Sequence, residues 1–310
     1  MANFKPTAWQ WIHSLLEPAF ILQMAMSYYV KANIRAILQG HILAPILDAQ
    51  RLRDEAFGEF WIAFSSYREA AAAAAKAAAA THPPSQDATP QPAPFPSDLM
   101  PRILSHAKGL VLDVGPGTGA QMPLLTSPAI KAIYGPEPCL RLHPEIRKRA
   151  EKEGISGKYT VLPCSVVGRE LGGELERHGL ISSGEGGKPK DGEGVFDTII
   201  TIRVLCSVPE LPTTASELYK LLKPGGKLLV VEHVVNRWRS AKGSLTARVF
   251  QSLYHALGWR WVMGDCSMDR DIEGVVRTAP GEEGWESVDV ERFGEESCMP
   301  HLAGVFVKRG

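Results

Sequence analysis

Cysteine is scarce in this chain, and its spacing matches no familiar metal or redox motif. Five cysteines occur in 310 residues, and no two of them form a C-x-x-C pair. This spacing argues against a zinc ribbon, a thioredoxin-type motif and a disulfide framework, and it favours a reducing compartment. The nine histidines contain no H-E-x-x-H pattern. The sequence therefore predicts no metal site.

An excess of charge of either sign is also absent. The 34 basic and 34 acidic residues give a net charge of zero, and 45% of the residues are apolar. Domains that bind nucleic acid through bulk charge are usually strongly basic, so we expect no nucleic-acid partner. The apolar fraction is that of an ordinary globular protein. The composition leaves the oligomeric state open.

The N-terminal region lacks an apolar run long enough to cross a bilayer. Its longest uncharged run, residues 18–30, has 13 residues, whereas a membrane span needs about 20. No secretory signal is evident, so we expect a cytoplasmic protein. Residues 9–47 are nevertheless rich in apolar and aromatic side chains. They fit either a helix packed on the domain, or a membrane-surface anchor or lid over a hydrophobic substrate.

The chain divides into three parts by composition. Residues 1–68 carry helical apolar patterns and predict an N-terminal helical cap. Residues 69–97 combine an alanine run with six prolines, and predict a mobile linker without chemistry. Residues 98–310 then form the main domain, in which the glycine-rich, charged residues 171–195 predict an inserted surface loop.

Strand-like and helix-like segments alternate through the main domain. The strand candidates are GLVLDV, IKAIYG, KYTVLPC, FDTIITI, KLLVVEHV, ESVDVERF and LAGVFVKRG. Such alternation predicts an α/β, Rossmann-like fold with a seven-stranded, mostly parallel sheet, an antiparallel C-terminal hairpin strand and an N-terminal helical cap. Ligands on sheets of this kind bind at the carboxyl ends of the strands.

A glycine-rich turn follows the first predicted strand and is expected to open a helix. It reads VLDVGPGTG, with alternating glycines at Gly115, Gly117 and Gly119. Glycines permit a tight turn and a close approach of the backbone to a ligand. Taken through Ala120, the turn fits a dinucleotide fingerprint. Asp113, two residues before the first glycine, makes the segment resemble motif I of class I S-adenosylmethionine-dependent methyltransferases.

The resemblance covers about residues 100–308. Glu137 ends the second predicted strand, where an acid binds ribose hydroxyls in NAD proteins and methyltransferases alike. The segments FDTIITIRVLCSVPE and SELYKLLKPGGKLLVVEHV follow in the family's order. The resemblance implies S-adenosyl-L-methionine as cofactor, bound by Asp113, Gly115, Pro116, Gly117, Gly119, Gln121, Glu137, Ser165 and Thr201. Where the family usually has an acid near the adenine, this chain has Cys164-Ser165-Val166, so Ser165 or a backbone amide takes that contact.

Within the superfamily, the chain resembles the methyltransferase-like group that includes alkyl-thiol methyltransferases of membrane and lipid-droplet surfaces, and related natural-product methyltransferases. The resembling segments are residues 204–208, Glu232-His233, residues 264–266 and residues 301–308. The resemblance implies methyl transfer to a small, hydrophobic molecule of secondary metabolism. It leaves the acceptor atom open between sulfur, oxygen and nitrogen.

Methyl transfer from a sulfonium is an in-line displacement, in which the protein mainly aligns donor and acceptor and removes a proton where needed. The candidate bases are His233, His255 and Asp265. Arg203 follows the fourth strand near the expected donor, and we expect it to face a carboxylate or solvent. Two alternatives stay open: a non-methylating S-adenosylmethionine-binding module or pericyclase-like protein, and a dinucleotide oxidoreductase.

Overall fold

The core of the protein is one seven-stranded sheet. The computed structural model describes residues 7–81, 96–182 and 194–310. The sheet has the order β3-β2-β1-β4-β5-β7-β6, with β7 antiparallel to both of its neighbours and all other pairs parallel. The predicted fold class is confirmed. The strands are β1 (Gly109–Val114), β2 (Ile130–Pro136), β3 (Tyr159–Leu162), β4 (Phe196–Ile202), β5 (Leu222–His233), β6 (Trp285–Phe293) and β7 (His301–Lys308).

Helices cover the sheet and form the N-terminal cap. In the first of them Thr7 and Gln10 form a capping box, which satisfies free amides at the helix start. The helices are α1 (Ala8–Leu38), α2 (Ala44–Leu47), α3 (Ala49–Thr81), α4 (Pro96–Leu104), α5 (His143–Lys152), α6 (Gly168–Arg177), α7 (Leu211–Leu221), α8 (Leu245–Ala256), α9 (Trp259–Val262) and α10 (Ile272–Thr278).

The parallel pairing of the strands determines which edge of the sheet carries their carboxyl ends. β1 lies between β2 and β4, and Leu112 pairs with Tyr134 on one side and Ile199 on the other. Val111 and Leu112 are fully buried, as expected for a strand covered on both faces. The carboxyl ends of β1, β2, β4 and β5 therefore meet at one edge of the sheet.

Three predicted elements differ in the structure. Residues 69–81, the first part of the predicted linker, form the last turns of α3, because alanine has the highest helix propensity. Residues 171–177 belong to α6, since Leu171 and Leu175 lie one turn apart and bury together. The helix expected after the glycine turn is one 3₁₀ turn at Met122–Leu124, and proline at 123 and 128 prevents its extension. The rest of the two predicted loops, residues 82–95 and 183–193, lies outside the described residues.

The cap exposes a long apolar face. Eight large apolar residues of α1 are solvent-exposed, from 42% for Ile12 to 82% for Leu38. At 3.6 residues per turn they fall within an arc of about 100°. We call this set the apolar stripe: Trp9, Ile12, Leu16, Phe20, Val30, Ile34, Ile37 and Leu38. Within the described residues no helix combines the length and the hydropathy needed to cross a membrane.

A second exposed apolar row lies on α8. Leu245, Val249, Leu253 and Leu257 are each about half exposed and recur every fourth residue. The opposite side of α8 packs on α1, where the Tyr254 hydroxyl donates to the Leu15 carbonyl oxygen at 2.7 Å. The cap and the region after β5 therefore form one continuous structural unit.

Candidate active site

One cavity of about 770 Å³ lies at the carboxyl edge of the sheet. The sheet contributes the turn after β1, the end of β2 and the loops after β4 and β5. Helices α1 and α3 contribute a wall from the cap, and the loop after α9 contributes a third side. The cavity is large enough for a small cofactor and a second small molecule together.

The glycine turn forms the floor of the cavity beside β1. Gly115 and Gly117 have φ values of +57° and +62°, a region that side chains with a Cβ rarely occupy. A Cβ on Gly115 would lie 2.5 Å from Val204 Cγ2, and one on Gly117 would lie 2.8 Å from Trp61 Nε1. Glycine is therefore required here both for the backbone conformation and for the space.

Asp113 lies behind the turn and does not line the cavity. Its carboxylate accepts hydrogen bonds from Gln121 Nε2 at 3.0 Å and from the Tyr159 hydroxyl at 2.8 Å. Burial raises the pKa of Asp113 to about 6, although both hydrogen bonds oppose that shift. In this structure Asp113 supports the site from behind and reaches the cavity only through Gln121, which lines it.

Glu137 lies on the cavity wall at the end of β2. Its carboxylate accepts from the Gly117 amide at 3.1 Å and from the Cys139 amide at 2.9 Å. Burial raises the pKa of Glu137 to about 7. The side chain is therefore held in place across the glycine turn, and its ionisation changes near neutral pH.

The other predicted cofactor residues divide into two groups. Pro116, Gln121 and Ser165 line the cavity, whereas Gly119 and Thr201 do not. Sequence reasoning missed Thr118, whose buried hydroxyl lines the cavity and has no partner among the described residues. Unpaired buried hydroxyls are costly, so Thr118 offers a free hydrogen-bonding group to a ligand at the turn.

The turn after β4 holds a half-buried cation at the cavity. Arg203 has φ +54° and its guanidinium lies 5.6 Å from the ring centre of Trp61. The Glu232 carboxylate accepts from the Val204 and Leu205 amides at 3.0–3.1 Å, which closes the turn. Burial lowers the pKa of Arg203 and raises that of Glu232 to about 7. The structure places the Arg203 side chain against Trp61 of α3, partly exposed in the cavity lining.

The three candidate bases occupy different positions. His233 lines the cavity, with Nε2 3.1 Å from Cys266 Sγ. Asp265 also lines it, but its carboxylate receives both Nη atoms of Arg53 at 3.1 and 2.8 Å. His255 lies outside the cavity lining, where Nε2 accepts from the Met268 amide at 2.8 Å. Only His233 combines a cavity position with freedom from an ion pair among these three candidates.

Two further parts of the site were missed by sequence reasoning. Phe57, Trp61 and Phe64 of α3 form the aromatic wall, and their shared face of α3 was the available signal. His301, which starts β7, also lines the cavity. Burial and the nearby His233 lower the pKa of His301 to about 3, so its ring is neutral at physiological pH.

The site fits S-adenosylmethionine. The glycine turn allows close approach of a ligand, Glu137 offers a carboxylate to ribose hydroxyls, and the Thr118 hydroxyl is free to bind. Arg203 supplies a cation for a carboxylate group. These features match a nucleoside linked to an amino acid.

The chain matches a family model and a yeast methyltransferase. The family model described as "Methyltransferase domain" matches residues 88–265. "Methyltransferase OMS1, mitochondrial" from Saccharomyces cerevisiae is 28% identical over 180 residues, which are 56% of this chain and 36% of that protein. The chain therefore matches only about a third of that relative's length.

The fold also matches solved structures. An O-methyltransferase family protein from Burkholderia thailandensis superposes with a TM-score of 0.52 at 15% identity, covering 96% of this chain and 72% of that chain. The N-methyltransferase NodS from Bradyrhizobium japonicum WM9, in complex with S-adenosyl-L-homocysteine, gives a TM-score of 0.43 at 16% identity, with coverages of 69% and 86%.

Proposed function

This chain belongs to the methyltransferase-domain family, and from that premise we propose that it methylates a small, hydrophobic acceptor. The family model covers more than half of the chain, and the chain is a class I S-adenosylmethionine-dependent methyltransferase. The observation that carries the proposal is that one cavity joins the glycine turn to an aromatic wall. A charged macromolecular acceptor would find few matching groups on that wall.

The residues at the floor of the cavity would hold the cofactor. The turn at Gly115 and Gly117 accommodates it, Glu137 accepts from the ribose hydroxyls, and Ser165 faces the base. Thr118 and Arg203 bind the amino-acid part. The bound cofactor supplies an activated methyl group on a sulfonium.

The protein itself aligns the donor with the acceptor and excludes water from the site. Phe57, Trp61 and Phe64 enclose the acceptor from the cap side, so donor and acceptor meet without competing solvent. His233 lies where a proton leaving the acceptor can be received. Asp265 is a positioning residue, because its pairing with Arg53 joins α3 to the loop after α9. His255 holds the backbone of that loop.

An acceptor screen tests the proposal. The purified full chain is incubated with S-adenosylmethionine and thiols, phenols and amines of graded hydropathy, and methylated products are detected by mass. We expect product and S-adenosyl-L-homocysteine with apolar acceptors, and none with peptides or nucleic acid. Cofactor binding by calorimetry without S-adenosyl-L-homocysteine from any acceptor would instead favour a non-methylating or pericyclase-like protein.

We also propose that the cap lies on a membrane surface. The apolar stripe on α1 and the exposed apolar row on α8 present aliphatic and aromatic side chains on two helices that contact each other. This is more apolar surface than isolated exposed residues would give. Amphipathic helices bind the bilayer interface through such faces. An apolar acceptor would then partition into the lipid beside the enzyme.

A further inference from the structure

We propose that Cys206, His233 and Cys266 form a site for a thiophilic divalent metal ion of the zinc class, whose open position holds the acceptor as a thiolate. The three side chains come from the loop after β4, the end of β5 and the loop after α9. The second half of this inference, the thiol acceptor, rests on the proposed methyltransferase function. The first half, the metal site, stands on geometry alone.

The ligand atoms already converge. Cys206 Sγ, Cys266 Sγ and a ring nitrogen of His233 lie within 4.8 Å of one another. Tetrahedral zinc with bonds of about 2.3 Å to sulfur places two sulfurs about 3.8 Å apart. The present His233 Nε2 to Cys266 Sγ distance of 3.1 Å would open by about half an ångström around an ion. Only small side-chain movements are needed.

The chemistry of the donors selects the ion. Two thiolates and one imidazole are the Cys₂His ligand set of catalytic zinc sites, which keep a fourth position for water or substrate. Hard ions such as Mg²⁺ prefer oxygen ligands. All three side chains are buried, with 2–7% exposure, and all three line the cavity. The fourth position therefore points to where the acceptor is proposed to lie.

The surroundings hold the ligands in place. The Trp259 indole N–H donates to Cys266 Sγ at 3.2 Å, an outer contact that stabilises a thiolate. The two cysteine loops are joined, because the Ser267 amide donates to the Cys206 carbonyl oxygen at 2.9 Å. Arg270 also clamps the first loop, donating to the carbonyl oxygens of Leu205 at 2.9 Å and Val208 at 2.6 Å. A site held by two linked loops is already organised before an ion binds.

Such an ion would activate a thiol for methyl transfer. With the ion bound, His233 serves as a ligand and not as the base. An acceptor R–SH binds the open position and releases its proton to solvent, leaving R–S⁻ on the divalent ion. The thiolate sulfur attacks the methyl carbon. A new S–CH₃ bond forms while the methyl–sulfonium bond breaks, and its electron pair stays on the donor sulfur. The products are a neutral thioether and S-adenosyl-L-homocysteine, and the ion keeps its charge.

Metal content and cobalt substitution test the site. The full chain is purified without chelator and its zinc is measured by mass spectrometry, then replaced by Co²⁺ for absorption spectra. We expect about one ion per chain and the thiolate charge-transfer and tetrahedral d–d bands of a two-thiolate site. Cys206→Ala and Cys266→Ala should each lower zinc affinity at least about tenfold. Cys298→Ala, a buried cysteine outside this cluster and outside the cavity lining, should leave it unchanged.

These measurements distinguish failure of the metal site from failure of the proposed methyltransferase function. Calorimetry with S-adenosylmethionine on the same samples reports the donor site, and should be unaltered in all three variants. Wild-type protein that binds cofactor yet holds neither zinc nor cobalt overturns the metal site, as does a Cys206–Cys266 disulfide with no metal under reducing purification. These measurements need only the wild-type protein, so an unfolded variant cannot obscure them.

The fourth position has its own test. Adding an apolar thiol should shift the cobalt bands, whereas a matched alcohol and amine should not. Metal binding with no response to any thiol overturns the assignment of the acceptor.

Discussion

The donor end and the acceptor end of the cavity are built in opposite ways. Most of the donor end comes from residues 115–137, in which the glycine turn and Glu137 follow neighbouring parallel strands, and the loops after β3 and β4 add Ser165 and Arg203. The acceptor end gathers Arg53, Cys206, His233 and Asp265 from positions far apart in the sequence. The first end depends on backbone geometry. The second depends on side chains that meet only after the cap and the loops have packed.

This difference has a consequence for mutation. A change at the donor end should weaken cofactor binding and leave acceptor binding intact, and a change at the acceptor end should do the reverse. An effect that crosses from one end to the other would break this separation.

The largest effect is expected for Gly117→Ala. A Cβ here would approach Trp61 Nε1 at 2.8 Å and strain a backbone at φ +62°, so affinity for S-adenosylmethionine should fall about a hundredfold, or about 3 kcal/mol. Calorimetry measures this. Gly154→Ala is the matched control, since Gly154 has φ +69° with nothing within 4 Å of the added Cβ. An equal loss of cofactor affinity in the two variants would show that backbone strain alone, and not the contact with Trp61, causes the effect.

Glu137→Gln should lower cofactor affinity about tenfold at pH 8, because hydrogen bonds to a charged acceptor are the stronger ones. Burial raises the pKa of Glu137 to about 7, so the carboxylate is lost as pH falls. Wild-type affinity should therefore drop about tenfold from pH 8 to pH 6, with Asp113, whose pKa is raised to about 6, adding to the fall.

The variant should show a flatter pH profile, since it has no proton to gain at this position. Glu151→Gln, on the exposed side of α5, is the control and should keep the wild-type profile. A wild-type affinity that is constant between pH 6 and pH 8 would contradict the assigned role of the carboxylate.

Arg53→Ala tests the acceptor end. Arg53 is buried while Asp265 is half exposed, so solvent screening limits the expected loss to about 1–2 kcal/mol of unfolding free energy. The loop after α9 loses its tie to α3, and KM for the acceptor should rise about fivefold while cofactor affinity stays constant. Arg51→Ala removes an exposed pair on the same helix and should change neither. A matching fall in cofactor affinity would show that the two ends are coupled.

The smallest effect should come from the apolar stripe. The double variant Leu16→Ser/Phe20→Ser should reduce co-sedimentation with liposomes about threefold or more, because interfacial binding scales with buried apolar area. Leu140→Ser removes an equally exposed apolar side chain away from the stripe and serves as control. Cofactor affinity should not change in either variant. Unaltered co-sedimentation of the double variant would leave the stripe without a membrane role.

Much of the fold and of the donor end could be predicted from the sequence. Strands of continuous apolar residues, glycines at alternate positions and an acid at the next strand end are local patterns, and each has a local physical cause. Gly115, Gly117 and Glu137, three of the predicted cofactor residues, lie on the cavity surface. Local patterns failed where two preferences competed: the alanine run continued α3 because nothing interrupted it, and Leu171 with Leu175 formed a helix despite two glycines between them.

The sequence by itself determined the sheet, its functional edge and the glycine turn, because strand periodicity and the conformational freedom of glycine act over a few residues. Tertiary structure alone decided that Asp113 supports the turn from behind, that Arg53 pairs with Asp265, and that Cys206, His233 and Cys266 meet. No motif spacing relates Arg53 to Asp265, or Cys206 to His233 and Cys266, because these residues lie far apart in the sequence. Burial and loop packing bring these side chains within bonding distance, and only the folded chain specifies which groups share the same few ångströms.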